Sequence, residues 1–107
     1  MKLILAIVSN DDSSDVSRAL NRERYQVTRL ATTGGFLSQG NTTLIIGCDD
    51  DKVSKAIEMI CNESKKRTEV VPSTASYDVS GMISFPVEVT VGGATIFVLN
   101  VDQFVKL

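Results

Sequence analysis

The residues best able to do chemistry form one stretch rich in glycine, hydroxyl and amide groups. It reads Thr32-Thr33-Gly34-Gly35-Phe36-Leu37, and Gly40-Asn41-Thr42-Thr43 follows shortly after. Glycines let backbone N–H groups approach an anion closely, while hydroxyls and the asparagine amide add hydrogen-bonding groups that can also read a base edge. Phe36 and Leu37 at the loop tip offer an apolar surface to a purine ring. The stretch is therefore a candidate phosphate- and base-binding loop.

The same stretch also has a purely structural interpretation. Glycine-punctuated loops are common between strands, where the glycines supply positive φ angles, and Phe36 could then pack into the core. No Gly-Lys-Ser/Thr follows, so the stretch is not a P-loop. It joins two predicted strands rather than a strand and a helix, so it is not a dinucleotide fingerprint either. From residue types alone, both the binding and the structural interpretation stay open.

The sequence contains no recognisable catalytic constellation. Histidine is absent, which excludes His-based acid–base chemistry, the usual serine triad and every His-containing metal site. No pair of carboxylates stands out as an acid–base couple. The run Asp49-Asp50-Asp51 lacks the alternating register and distal glutamate of a calcium loop, so helix capping explains it better than a metal site. The residues thus favour neither catalysis nor a bound metal.

Composition places the chain among ordinary globular proteins. Its 107 residues predict a single domain, 1–107, and a net charge of −2 argues against a nucleic-acid partner. Cys48 and Cys61 match neither a zinc nor a CxxC pattern, so two buried thiols in a reducing cytoplasm are expected, with a disulfide as the alternative. The N-terminal apolar run, residues 3–8, is too short for a signal peptide or a membrane span, which favours a cytoplasmic location.

The elements that must position these residues follow from hydrophobic periodicity. Residues 3–8 form a continuous apolar run, typical of a central strand covered on both faces. Residues 10–14 form a cluster of capping side chains, and the helix behind them is predicted to end near Tyr25. Strands are predicted over 26–32 and 41–47, on either side of a short glycine-rich loop.

The second half of the chain repeats this arrangement with an addition. A second helix after Asp49 is predicted from apolar residues at i, i+3, i+4 and i+7 spacing: Val53, Ala56, Ile57, Ile60 and Cys61. Residues 71–85 contain Pro, Gly and several Ser, and predict a long loop. Valines alternating with polar residues over 87–91 predict a half-buried strand. Gly92-Gly93 then predicts a tight hairpin turn into a returning strand over 94–101.

The resulting order, β-α-β-β-α-β, predicts an α+β fold, namely a ferredoxin-like sandwich with an added C-terminal hairpin strand. Both helices would pack on one face of the sheet. The other face then needs a cover, and another subunit is the natural one. Candidates for this face are Thr28, Leu30 and the valines of the strand predicted over 87–91.

Two long motifs resemble the PII-like cyclic di-AMP receptor family of Gram-positive bacteria. The first runs Val27-Thr28-Arg29-Leu30-Ala31-Thr32-Thr33-Gly34-Gly35-Phe36-Leu37 and continues as Gly40-Asn41-Thr42-Thr43. The second is Pro86-Val87-Glu88-Val89 followed by Val91-Gly92-Gly93-Ala94-Thr95-Ile96-Phe97-Val98. The resemblance spans essentially the whole chain and includes a short loop, 34–40, after the second strand and a long one, 71–85, after the second helix.

This resemblance implies a homotrimer that binds cyclic di-AMP at three inter-subunit clefts and relays binding through its loops to an unknown downstream partner. It implies a binding protein with no cofactor, not an enzyme. Carried over by position, Thr28 and Asn41 would hydrogen-bond the ligand, and Gly35 and Gly47 would allow close backbone approach. Phe36, Leu37 and Phe97 would flank an adenine. The full implied ligand-binding set is Gln26, Val27, Thr28, Gly35, Phe36, Leu37, Gly40, Asn41, Gly47, Phe97 and Lys106.

The sequence departs from the family pattern at several positions. Better-known members carry arginine where this chain has Gln26, proline at Asn100, and a Gln-Phe ending in place of Lys106-Leu107. Their Pro-Met-Gly-Gly-type segment is missing from the long loop. Loss of a charge-assisted hydrogen bond at Gln26 would weaken binding by about 1.5–3 kcal/mol, unless Lys106 reaches a phosphate. Two alternatives follow: a module of the same fold that binds another nucleotide or small effector, and a small ferredoxin-like enzyme with an inter-subunit cleft.

Overall fold

The computed structural model describes residues 1–30, 40–72 and 86–107. Residues 34–39 of the predicted short loop and residues 73–85 of the predicted long loop lie outside these residues. In chain order the described elements are β1 (Lys2–Ser9), α1 (Asn10–Arg22), β2 (Val27–Leu30), β3 (Asn41–Cys48), a 3₁₀ turn (Asp50–Lys52), α2 (Val53–Glu63), β4 (Arg67–Pro72), β5 (Pro86–Val91) and β6 (Ala94–Asn100).

Four of these strands form one antiparallel sheet in the order β2-β3-β1-β6. β1 lies in the interior of this sheet, as its continuous apolar run predicts. β1, α1, β2, β3, α2 and β6 together give the β-α-β-β-α-β order and strand arrangement of a ferredoxin-like fold. The predicted α+β ferredoxin-like fold class is confirmed.

The core lies between one face of this sheet and the two helices. Alternate residues of β1, including Ile4 and Val8, are fully buried on that face, and Leu44 and Ile46 of β3 lie opposite them. Each such side chain contributes about 1.5–3 kcal/mol when fully buried. The helices complete the core with four side chains: Val16, Leu20, Ala56 and Ile60.

The opposite face of the sheet is only partly covered within one chain. Leu3, Leu5 and Ile7 of β1 are half-buried, whereas Ile4, Ala6 and Val8 are buried. Within one chain the strand is thus fully covered on one face only, and the cover of its other face by another subunit stays a prediction. The apolar run reflects a strand whose second face stays accessible in the monomer.

Both ends of α1 differ from the sequence prediction. Ser9 is the N-cap of α1, because its side chain accepts a hydrogen bond from the backbone N–H of Asp11 at 3.2 Å. Residues 10–14, predicted as caps, instead form the first turns of the helix. α1 ends at Arg22, before the predicted limit near Tyr25, and the chain then turns through Arg24 with φ of +67°.

The three consecutive aspartates lie at a 3₁₀ turn that precedes α2 rather than in the first turn of α2 itself. No side-chain hydrogen bond from Asp49 caps this turn, and Asp50 instead pairs with the amino terminus at 2.9 Å. In the predicted apolar stripe Ala56 and Ile60 are buried, but Cys61 is exposed. The prediction of two buried thiols is therefore right for Cys48 and wrong for Cys61.

The second half of the chain contains a strand that the sequence interpretation missed. β4 occupies Arg67–Pro72, so residues 71 and 72 belong to a strand rather than to the predicted long loop. β4 pairs antiparallel with β5 in a separate two-stranded sheet, while β6 pairs with β1. The predicted hairpin across Gly92-Gly93 is therefore wrong. Both glycines do have positive φ, +86° and +85°, but they carry the chain from one sheet to the other.

Candidate ligand-binding clefts

A polar cleft of about 370 Å³ lies where the main sheet meets the end of β5. The end of β1 and the start of α1 form one wall, the residues around Asn41 form the floor, and the end of β5 forms the other wall. Its lining consists of Ser9, Asn10, Asp11, Gly40, Asn41, Thr90 and Gly92. Oxygen and amide groups dominate this lining, so the cleft is suited to a hydrogen-bonding ligand.

Two hydrogen bonds fix the floor of this cleft to α1. The backbone N–H of Asn10 donates to the carbonyl of Gly40 at 2.6 Å, and the Thr42 hydroxyl donates to the side-chain oxygen of Asn10. Gly40 has φ of +118°, a conformation that a residue with a side chain rarely adopts. Asn41 pairs with Ser9 in the sheet and is exposed beside them. The Asn41 amide is therefore exposed at the start of β3.

A second, shallower cleft of about 280 Å³ adjoins the first and shares Asn41 and Gly92 with it. Lys66 also lines it, and the aliphatic stem of Lys66 lies against Gly93, where an added Cβ would be 3.1 Å from the lysine Cγ. The exposed lysine therefore supplies a positive charge close to Asn41. The Lys66 ammonium can neutralise an anionic group of a ligand, whereas the Asp11 carboxylate of the first cleft would repel such a group.

Two other predicted site residues, Gln26 and Gly47, line a third cleft of about 260 Å³ at the opposite end of β3. Tyr25 forms its base, and the Tyr25 hydroxyl donates to the carbonyl of Lys52 at 2.8 Å. Burial raises the pKa of the Tyr25 hydroxyl and of the Cys48 thiol, which lines the same cleft. Both groups are therefore neutral near pH 7, and Lys52 supplies a positive charge at the rim.

The remaining described site residues lie on or near the open face of the sheet. Thr28 is exposed in β2 opposite Ile45, and Phe97 is 51% exposed in β6 opposite Leu5. Val27 points the other way and packs against the core, so only its backbone is available to a ligand. Lys106 is exposed in the C-terminal segment.

The structure therefore separates the predicted site residues within one chain. Asn41 pairs with Ser9 at one end of β1, whereas Gly47 pairs with Leu3 near the other end. Six residues of strand at 3.2–3.4 Å each place them about 20 Å apart. Thr28 and Phe97 lie on the two edge strands in the same row across the sheet, which is three strand spacings or about 14 Å. One chain brings Asn41 and Gly40 together, and Gln26 and Gly47 together, but not the two pairs.

Comparison with known proteins identifies the family of the chain. The sequence profile of the cyclic-di-AMP receptor family matches residues 1–107, the whole chain. The chain belongs to the cyclic-di-AMP receptor family. A functionally unknown protein from Pediococcus pentosaceus ATCC 25745, known as a crystal structure, is 38% identical over 99% of this chain and 96% of its own, with a TM-score of 0.75. The resemblance inferred from the two long motifs is confirmed.

Membership of a receptor family points to a non-enzymatic binding protein whose ligand is cyclic di-AMP. Within the described ranges, no cluster of three or more acidic, cysteine or histidine side chains could hold a metal ion. In the same part of the chain, no helix is long and apolar enough to cross a membrane.

Three of the predicted site residues, Gly35, Phe36 and Leu37, lie outside the described residues. The sequence interpretation in turn missed the walls of the main cleft. The sequence assigned Asn10 only to the capping cluster, Thr90 only to a strand and Gly92 only to a turn, and it gave Ser9 no role. The run Ser9-Asn10-Asp11 next to a second polar run at Asn41 was the available signal, because β1 and β3 pair antiparallel in a ferredoxin-like sheet.

Proposed function

We propose that this protein is a cyclic di-AMP-binding signal transduction protein that acts as a homotrimer of single PII-like domains. The ligand lies at clefts between subunits, and binding is relayed by rearrangement of the loops to a downstream partner. The protein works in the cytoplasm and catalyses no reaction. Its membership of the cyclic-di-AMP receptor family supports the ligand.

The separation of the site residues is the observation that carries the inter-subunit cleft. Asn41 and Gly47 lie about 20 Å apart on one strand, so a single subunit does not gather them around one nucleotide. A neighbouring subunit can place its own Gly47 end beside the Asn41 end of the first. In a closed ring every subunit then contributes one half to each of two sites.

The open face of the sheet offers the surface on which such neighbours can pack. Leu30, Phe97 and Leu99 are 48%, 51% and 46% exposed, and Leu5 and Ile45 lie between them in the sheet. Exposed apolar area of this kind is removed from water when a subunit covers it, at about 25 cal/mol per Å². Association through this face would also bring Thr28 and Phe97 of different subunits together.

Within the cleft, each proposed residue has a chemical role that its position permits. Thr28 and Asn41 hydrogen-bond the ligand, Gly35 and Gly47 allow close approach, and Phe36, Leu37 and Phe97 flank an adenine. Lys66, which lines the cleft beside Asn41, adds a positive charge for a phosphate. The remaining members of the proposed set are Gln26, Val27, Gly40 and Lys106.

Calorimetric titration with cyclic di-AMP tests this function, with cyclic di-GMP and ATP as controls. We expect selective binding of cyclic di-AMP at one ligand per subunit, and at least tenfold weaker binding by Asn41→Ala. Asn62→Ala is the matched control, because Asn62 is an exposed asparagine in α2 and lines none of the three clefts described. Equal binding by Asn41→Ala and wild type would contradict the assigned cleft.

The second candidate function, a module of the same fold that binds another nucleotide or small effector, rests on Gln26. This exposed amide lines the Gly47 cleft where better-known family members carry arginine. Gln26→Arg separates the two candidates. If cyclic di-AMP is the ligand, the variant should bind it about tenfold or more tightly than wild type. If the variant gains cyclic di-AMP binding that wild type lacks, the alternative is supported.

A further inference from the structure

The main cleft is built from two separate sheets, so something must hold its two walls in place. Ser9, Asn10 and Asp11 come from the β1–α1 junction, and Thr90 and Gly92 come from the end of β5. Within the described ranges no strand of one sheet pairs with a strand of the other. The width of the cleft therefore depends on contacts at the base of the β4–β5 sheet.

An ion pair between Asp12 and Arg67 joins the two walls directly behind the cleft. The Arg67 Nη2 lies 2.9 Å from Asp12 Oδ1, and Nη1 lies 3.4 Å from Oδ2, so the guanidinium engages both carboxylate oxygens. Asp12 follows the cleft residue Asp11 in α1. Arg67 begins β4 opposite Val91, which lies between the cleft residues Thr90 and Gly92.

The surroundings of the Asp12–Arg67 ion pair make its loss costly. The Asp12 side chain is only 6% exposed, so moving Arg67 away would leave a buried carboxylate without this partner. Arg67 Nη1 also donates to the carbonyl of Lys65 at 3.2 Å, and Gly93 N–H donates to the carbonyl of Ser64. These contacts fix the base of the β4–β5 sheet against the end of α2.

We propose that Asp12 and Arg67 are positioning residues that set the distance between the two walls of the cleft and couple its occupancy to the β4–β5 sheet. The proposal rests on the proposed function, because it assigns Asp12 and Arg67 to the cyclic di-AMP cleft without direct ligand contact. The pair also gives the loop relay a physical path from α1 to the strands that border the long loop.

The test is a double-mutant cycle of Asp12→Asn and Arg67→Gln, with cyclic di-AMP affinity measured well below the unfolding temperature. Each single variant should bind about 3- to 30-fold more weakly, and the double variant no more weakly than the worse single variant. Arg67→Lys keeps the charge but loses the two-pronged contact, so it should fall between wild type and Arg67→Gln. Arg18→Gln is the control, because Arg18 forms an exposed pair with Asp15 on the same helix.

The change in hydrogen–deuterium exchange on ligand binding distinguishes the proposed coupling from a purely structural role of Asp12 and Arg67. In wild type, cyclic di-AMP should increase amide protection in residues 9–12 and in 88–92, whereas in Arg67→Gln the increase should be confined to 9–12. Wild-type affinity in folded variants, or ligand-induced protection of 88–92 that persists in Arg67→Gln, would overturn the proposal.

The ligand-free exchange separates this proposal from the proposed function. Without ligand, Arg67→Gln should exchange faster than wild type at residues 88–92, since the pair holds β5 in place. Unchanged exchange there overturns the positioning role even if wild type binds cyclic di-AMP. Absence of cyclic di-AMP binding by wild type overturns the proposed function, and with it the coupling, whatever the ligand-free exchange shows.

Discussion

Gly92→Ala should destabilise the fold more than Gly40→Ala or Gly47→Ala. Gly92 has φ of +86°, and leaving an ordinary backbone region costs an L-residue about 1–2 kcal/mol. An added Cβ would overlap the carbonyl oxygen of Lys65 and lie 2.9 Å from Arg67 Nη1. Because the obstructing atoms include backbone, relief needs a shift of the chain, at about 1–3 kcal/mol more. The sum is about 2–5 kcal/mol, a large part of the stability of a domain this size.

Alanine at two other glycines separates the cost of backbone strain from the cost of steric overlap. Gly40 has φ of +118° but open space around its Cβ position, so Gly40→Ala should cost only the backbone strain, about 1–3 kcal/mol. Gly47 has an ordinary φ, and its added Cβ would meet only the flexible end of Met1 at 3.3 Å. Gly47→Ala should therefore stay within about 1 kcal/mol of wild type.

Urea unfolding at one fixed protein concentration measures all three variants, since association makes stability concentration-dependent. The expected order of destabilisation is Gly92→Ala, then Gly40→Ala, then Gly47→Ala, and Gly92→Ala should lower Tm by about 10–20 °C. A free energy of unfolding for Gly92→Ala within about 0.5 kcal/mol of wild type would refute the reasoning, because neither the strain nor the overlap could then be real.

Three further outcomes follow from described contacts. Tyr25→Phe removes the hydroxyl that donates to Lys52 and should lower the free energy of urea unfolding by about 0.5–1.5 kcal/mol; an unchanged value would contradict that bond. Iodoacetamide at pH 7.5 should alkylate the exposed Cys61 first, since burial and the neighbouring acidic run raise the pKa of the Cys48 thiol, and equal labelling of the folded protein would contradict this. The hydrogen bond from the amino terminus lowers the pKa of Asp50, so its contribution to stability is present above about pH 3.9 and lost as pH falls through the lowered value. Asp50→Asn should thus unfold more easily than wild type at pH 5, and this difference should shrink as the pH falls; a pH-independent difference would contradict the assignment.

Local patterns predicted the elements well where burial and periodicity agree. The apolar run of β1, the strand at β3 and the buried pair Ala56 and Ile60 in α2 follow directly from side-chain hydrophobicity. Cys61 shows the limit of this approach. It continues the helical spacing of the stripe, but the sheet covers only a narrower part of the helix, so the thiol is exposed.

The partners of β5 and β6 could not be predicted from the local sequence, because they depend on contacts with other parts of the chain. Gly92-Gly93 has the positive φ angles of a tight hairpin turn, as its residue types indicate. β5 nevertheless pairs with β4, and β6 packs Ile96 against the core beside β1. β4 itself carries no clear alternation of apolar and polar residues and ends in Pro72, so local signals indicated a loop.

The candidate site shows the same division between local and long-range information. Its residue types were visible in the sequence, and the family resemblance supplied positions such as Asn41 and Gly47. The 20 Å between them follows from the strand predicted over 41–47, whereas the residues that lie beside each of them depend on the sheet register. Likewise, nothing near Asp12 in the sequence indicates that Arg67 will pair with it, because 55 residues separate the two.

The most direct test of an inter-subunit site is complementation between two binding-deficient variants. Asn41→Ala removes one half of each proposed cleft, and Gly47→Val blocks the other half, so each variant alone should bind cyclic di-AMP at least tenfold more weakly than wild type. After the two variants are unfolded together and refolded at equal amounts, random assembly should restore about a quarter of the clefts. Calorimetry of the mixture should therefore show near-wild-type affinity at about a quarter of the wild-type stoichiometry. No recovered binding, from a mixture shown to contain mixed oligomers, would contradict a site shared between subunits.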